Sequence, residues 1–211
     1  MNDLIQGDNA LVLPTIPAES VDLVVTVPPY DELAFQRTWS RWNVICELYR
    51  VLKPGGMLVW MCADQFIDGS ETGQSFRTVQ HFMGRGFKLN QTLIVEQTDA
   101  RLIGAHGRFL NAWDYVFCLS KGRPKTENPS AWKSNLWSYP DEQDRFAVKI
   151  AMPFGFAREC VRVWSNPGDV VLDPFAGTGT VLLAAKTLGR RFIGIEFDPE
   201  THRISEERLR E

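Results

Sequence analysis

Two short stretches carry residue types whose spacing could do chemistry. In Val171-Leu172-Asp173-Pro174-Phe175-Ala176-Gly177-Thr178-Gly179-Thr180 a hydrophobic strand runs into a glycine turn and a helix start. Neither Gly177 nor Gly179 carries a Cβ, so the backbone there can approach a ligand closely. Thr178 and Thr180 are placed to cap the helix, whose N-terminal N–H groups would face that ligand. No Gly-Lys-Ser/Thr follows, which excludes a P-loop, and the third glycine of a dinucleotide fingerprint is missing. Gly194-Ile195-Glu196 ends the next strand, where an acid can accept from both hydroxyls of a ribose. The second stretch, Val24-Val25-Thr26-Val27-Pro28-Pro29-Tyr30, is a strand stopped by two prolines and an aromatic ring. Prolines fix φ and remove N–H donors, which leaves the Pro28 carbonyl as a rigid acceptor. Tyr30 offers a flat face on which an extruded base could stack. In isolation the same residues read first as a Pro-rich strand terminator with a core tyrosine.

The elements that must position these residues alternate between strand and helix, the pattern of a parallel-rich α/β sheet. Val21 to Val27 is nearly continuous in apolar character, as a strand covered on both faces should be. Trp39 to Leu52 spaces Trp42, Ile45, Leu48, Tyr49 and Leu52 as an amphipathic helix, which Lys53-Pro54-Gly55-Gly56 stops. Met57 to Cys62 is the next strand, and Gln74 to Met83 is a helix with Phe76, Val79 and Met83 on one face. Leu89 to Glu96 and Trp113 to Leu119 are expected as antiparallel neighbours at one edge. Phe154 to Trp164, Thr180 to Thr187 and Pro199 to Leu209 read as helices, and Val170 to Phe175 and Phe192 to Glu196 as strands. Lys121 to Asp144 has no period and is too long for an ordinary loop, which suggests a functional insertion.

The chain of 211 residues is expected to be one domain. A net charge of -3 means that any polyanion must meet a local basic patch rather than the molecule as a whole. Cys46, Cys62, Cys118 and Cys160 are scattered, which points to a reduced, cytoplasmic protein without structural zinc or another metal. No apolar run approaches the roughly 20 residues needed to span a bilayer, and the first residues do not read as a signal peptide.

The order of these blocks resembles the S-adenosylmethionine-dependent DNA amino-methyltransferases of the class whose catalytic motif precedes the cofactor motif. The resemblance runs from Gln6-Gly7-Asp8 and Ser20-Val21-Asp22-Leu23 through Leu48 to Gly56, Gly69 to Arg77 and Trp113 to Gly122, and closes with Asn166-Pro167-Gly168-Asp169 into Gly177 and Phe192 to Glu196. It implies a Rossmann-like fold with a mostly parallel seven-stranded sheet, one reversed strand and helices on both faces. It implies S-adenosyl-L-methionine as cofactor, with Asp173, Phe175, Gly177, Thr178 and Gly179 around the methionine moiety, Glu196 on the ribose and Asp8 against the adenine. Val27, Pro28, Pro29 and Tyr30 take the catalytic place, DNA is the partner, and a homodimer would fit. Members with Ser-Pro-Pro-Tyr mostly modify cytosine, so cytosine N4 is favoured over adenine N6.

Two segments depart from the family pattern. Val148 to Pro153 keeps only the final proline of a His-Pro-Ala-x-Phe-Pro segment. Val27 stands where the family has Asp, Asn or Ser, whose side chain accepts a hydrogen bond from the target amino group. Two alternatives follow: methylation of cytosine carbon 5 with Cys62 as nucleophile, or a catalytically impaired module that binds cofactor and DNA. Target recognition is expected from an insertion at about 121–145 and the loop from Asp99 to Phe109. Residues 99–134 hold Arg101, Arg108, Lys121, Arg123, Lys125 and Lys133 against three acids, a local net of +3 suited to phosphates.

Overall fold

The computed structural model describes residues 2–29, 43–97, 113–126, 128–129, 134–139 and 152–210. Its main sheet has eight strands in the spatial order β1 (Asn2–Gln6), β10 (Arg191–Glu196), β9 (Val170–Asp173), β2 (Val21–Thr26), β3 (Leu52–Cys62), β7 (Trp113–Ser120), β6 (Lys88–Gln97) and β8 (Leu136–Tyr139). All neighbours pair in parallel except β7, which runs against both β3 and β6. The strands β4 (Phe66–Ile67) and β5 (Ser70–Glu71) make a separate small hairpin.

Alternate residues of the central strands feed two apolar layers. Leu23 and Val25 of β2 join Met57, Val59 and Met61 of β3 on one face, beneath α4 (Phe154–Trp164) and α5 (Thr180–Thr187). Val24 joins Leu58, Trp60 and Cys62 on the other, beneath α1 (Asn9–Val12), α2 (Asn43–Val51) and α3 (Gln74–Gly84). The last helix, α6 (Pro199–Arg210), packs on β1, β10 and α5. Lys53 to Gly56 does end α2, and the chain then bulges inside β3: Val21 pairs with Leu52, but Leu23 already pairs with Met57.

The sheet therefore has eight strands rather than seven. The additional edge strand β8 falls inside the aperiodic insertion, pairs in parallel with β6, and displaces β6 from the edge. Its four residues are too few to show an alternation; what holds them is Trp137, 3% exposed and edge-on to Phe156 at 5.2 Å. In α3 the face toward the protein is Ser75, Thr78 and Phe82, whereas Phe76 is 56% exposed and Met83 half exposed. The buried carboxylate of Asp64 sets this rotation by accepting from the Gln74 and Ser75 amides and the Thr72 hydroxyl. A tertiary anchor here outweighs the hydrophobic stripe.

Trp137→Ala should cost about 3 kcal/mol of folding stability, the usual scale for emptying a buried aromatic site. Urea denaturation measures it, and a loss below a few tenths would show that β8 is not anchored by this ring.

Candidate active site at the carboxyl edge of the sheet

The strands β2 and β9 lie side by side, with Leu23 opposite Val171 and Val24 opposite Leu172. From β9 the chain passes through α5 to β10 on one side; from β2 it returns through α2 to β3 on the other. This reversal of direction opens a crevice at the carboxyl ends of the two strands, where open α/β sheets bind ligands. Thr26, fully buried, bridges the crevice floor by donating its hydroxyl proton to Asp173 Oδ1 at 2.6 Å. The Phe175 amide donates to the same oxygen at 3.1 Å. Burial pushes the Asp173 carboxyl up to about 7; the bonds from Thr26 and Phe175 oppose the rise and the nearby Glu196 charge adds to it.

Beyond Asp173 the chain turns through Gly177 at φ +54 and Gly179 at φ +81, left-handed conformations that favour glycine. A Cβ on Gly177 would meet nothing nearer than the Phe175 carbonyl at 3.9 Å, so that side of the turn is open. Glu196 accepts from the Gly177 amide and from the Asp198 amide, each at 2.8 Å, one with each carboxylate oxygen. The Gly7 amide donates to the Glu196 carbonyl at 2.8 Å, which brings Asp8 beside it; the Asp8 side chain caps α1 through the Ala10 amide at 2.9 Å. Phe175 turns its ring edge-on to Trp60 at 6.1 Å. The helix-capping role expected of Thr178 and Thr180 is not what the structure shows. Gly179 occupies the cap position without a side-chain bond, and both hydroxyls face Arg208 instead. Phe197, 72% exposed directly after Glu196, is a residue that sequence reasoning passed over. Its only signal is an apolar ring following the acid at a strand end. Carboxylate, open glycine turn and exposed ring together fit a ligand with a ribose, an amino-acid tail and an adenine.

On the base side, Val27 is half-buried and packs on the same apolar face as Phe154. Pro28 is buried and Pro29 half-buried, while Tyr30 lies outside the described residues. Cys62 is 5% exposed and donates to the Ser75 hydroxyl at 3.6 Å. Burial, with smaller contributions from Asp64 and Asp114, pushes its thiol up to about 12 against the lowering by Ser75. A thiol so held is not the thiolate that attack on a ring carbon requires. Three of the six basic residues fall among the described ones. Arg101, Arg108 and Lys133 lie outside the described residues. Lys121 binds Glu19 at 3.2 Å and the Leu52 carbonyl at 2.9 Å, and the Lys125 amide donates to Gly55. These positions, with Arg123 between them, are at the amino edge of the sheet, opposite Val27–Pro29. The reversed direction of β7 carries them there, so Lys121, Arg123 and Lys125 do not join the crevice.

The Asp173 carboxyl has a pH signature. Folded, it holds its proton to about pH 7, whereas unfolded it releases it near 3.8, so the folded state binds more protons between those values. Stability contributed by this site is therefore present below about pH 4 and is lost as pH rises toward 7. Asp173→Asn should flatten the fall by up to about 1.4 kcal/mol per pH unit. Urea denaturation across that window measures it, and an unchanged slope would assign the titration to another group.

Residues 21–207 match the family of N6 and N4 amino-methyltransferases described as DNA methylase. The orphan methyltransferase M.BamHII of Bacillus amyloliquefaciens is 34% identical, over 90% of this chain and 89% of its own. Among solved structures, TTHA0409 of Thermus thermophilus, in complex with S-adenosyl-L-methionine, superposes with a TM-score of 0.79 at 27% identity, covering 99% of this chain and 95% of that one. The cytosine-N4-specific PvuII DNA methyltransferase shares the fold at a TM-score of 0.88 and 21% identity, covering 99% of this chain and 86% of that one. A crevice built from a Pro-Pro strand end and a glycine turn, with a match over nearly the whole length, places the chain in the N6/N4 DNA methylase family.

Proposed function

We propose that this S-adenosylmethionine-dependent DNA methyltransferase modifies the N4 amino group of cytosine. The observation that carries the reading is the junction of the two motifs: the Pro28–Pro29 segment begins two residues after Thr26, whose hydroxyl is bonded to Asp173 at the cofactor turn. The likeness of Val27-Pro28-Pro29-Tyr30 to Ser-Pro-Pro-Tyr supports cytosine over adenine. No helix among the described residues is long and apolar enough to cross a membrane, and a DNA substrate supports a cytoplasmic place.

The residues present fit the cofactor, which supplies an electrophilic methyl group when bound. Glu196 would hold the ribose hydroxyls, Phe197 would cover the adenine, and the open side of Gly177 would receive the amino-acid tail. The Pro28 carbonyl accepts a hydrogen bond from the target amino group and orients the nitrogen lone pair. Tyr30 stacks on the extruded base. Val27 accepts nothing, so orientation rests on Pro28 alone and turnover is slow, which also favours a second reading, an impaired module that binds cofactor and DNA. Target recognition belongs to the part of the 121–145 insertion beyond the amino-edge lysines, where β8 ends at Tyr139 on the substrate edge.

Nucleosides from DNA incubated with the protein and labelled cofactor should contain labelled N4-methylcytosine by mass spectrometry. N6-methyladenine would change the base, and absence of label would favour the impaired module. Val27→Ser should raise turnover by up to about a hundredfold, the scale of one oriented polar partner; a variant no faster than the parent would refute the amino-orienting role.

Cys62→Ala should leave methyl transfer within about twofold, since its thiol is buried and protonated. Loss of transfer with retained folding, together with 5-methylcytosine in the parent reaction, would restore the carbon-5 mechanism.

A further inference from the structure

The cofactor turn is held by a second carrier of charge that the reading above does not use. Arg208, on the last turn of α6, is 3% exposed. Its Nη1 donates to the Thr180 hydroxyl at 3.0 Å and lies 3.4 Å from both the carbonyl and the hydroxyl oxygen of Thr178. Three residues earlier on the same helix face, Ser205 is fully buried against Gly179. A Cβ on Gly179 would sit 2.3 Å from the Ser205 hydroxyl oxygen, which has no hydrogen-bond partner. The glycine is therefore required by contact as well as by its φ of +81. The last helix thus presses on the turn with one small side chain and grips it with one cation, while Glu196 holds Gly177 separately.

A guanidinium is costly to bury, and an apolar side chain of similar length would fill the space without that cost. We propose that Arg208 is a positioning residue for the methionine half of the cofactor site. Its bonds to Thr178 and Thr180 fix the orientation of the Gly177–Gly179 peptides. Its charge, behind the first turn of α5, adds to the positive end of that helix and favours an anionic carboxylate on the open side. This rests on the S-adenosylmethionine reading and deepens it: the C-terminal helix becomes part of cofactor selection.

The test compares two ligands on the full chain by calorimetry, S-adenosylhomocysteine, which carries the amino-acid tail, and adenosine, which lacks it. Arg208→Met should weaken S-adenosylhomocysteine about tenfold, the scale of a hydrogen bond to a charged group, and leave adenosine unchanged. Arg208→Lys should recover part of the loss, and Thr180→Val should lose less. In turnover, the KM for S-adenosylmethionine should rise in Arg208→Met while kcat at saturation holds. Equal binding by Arg208→Met and the parent, or equal weakening of both ligands, would overturn the proposal. If Arg208→Met does not fold, Thr180→Val and Arg208→Lys decide by the same ligand comparison. A parent protein that binds neither ligand would refute the cofactor reading itself.

Discussion

The adjacency of β2 and β9 is the constraint on which the site depends, and the buried bond from Thr26 to Asp173 is its tightest expression. These residues are far apart in the chain, yet each ends its strand where the sheet reverses its winding. Moving either strand by one position would separate the Pro-Pro segment from the glycine turn. It would also leave a buried carboxyl without the hydroxyl bonded to it, a cost of about 1–3 kcal/mol against a domain's net stability of about 5–15 kcal/mol. Because the bond is buried, its geometry is not negotiable with solvent, and the two motifs are held in register before any ligand arrives.

The cofactor turn is restrained from two directions. Glu196 accepts from Gly177, and Arg208 with Ser205 contacts Thr178, Gly179 and Thr180 from α6. Such a turn has little conformational freedom to lose on binding, which is how a loop between strand and helix can hold a small ligand without a large closure. The Glu196 carboxylate meanwhile accepts from the backbone amides of Gly177 and Asp198, so both of its oxygens are hydrogen-bonded.

The two ends of the sheet have different work. The carboxyl edge carries Pro28–Pro29, Asp173, Glu196 and the end of β8. The amino edge carries Lys121, Arg123 and Lys125, where Lys121 ties the bulge in β3 to Glu19 through side-chain and backbone contacts. For these three residues, charge clustered along the chain does not reach the crevice, because the reversed β7 carries them to the opposite edge. Val27, meanwhile, packs against the same apolar core layer as Phe154, so the position without an acceptor is held by apolar contact.

The sequence by itself determined the alternating α/β class, the central buried strands, the glycine turn with Asp173 and Glu196, and the Pro-Pro strand end. Each of these is encoded within a few neighbouring residues, by periodicity, by proline geometry or by the lack of a Cβ. Only the tertiary structure decided the rest. The eighth strand exists because β6 offers an edge and Phe156 a surface for Trp137. The buried face of α3 follows Asp64 rather than its own stripe, and Thr178 and Thr180 serve Arg208 rather than the helix cap. The protonated state of Cys62 and the elevated carboxyl of Asp173 come from burial that no local pattern reports. In each such case the deciding partner lies outside the element it acts on, and the fold rather than the local pattern brings it into contact.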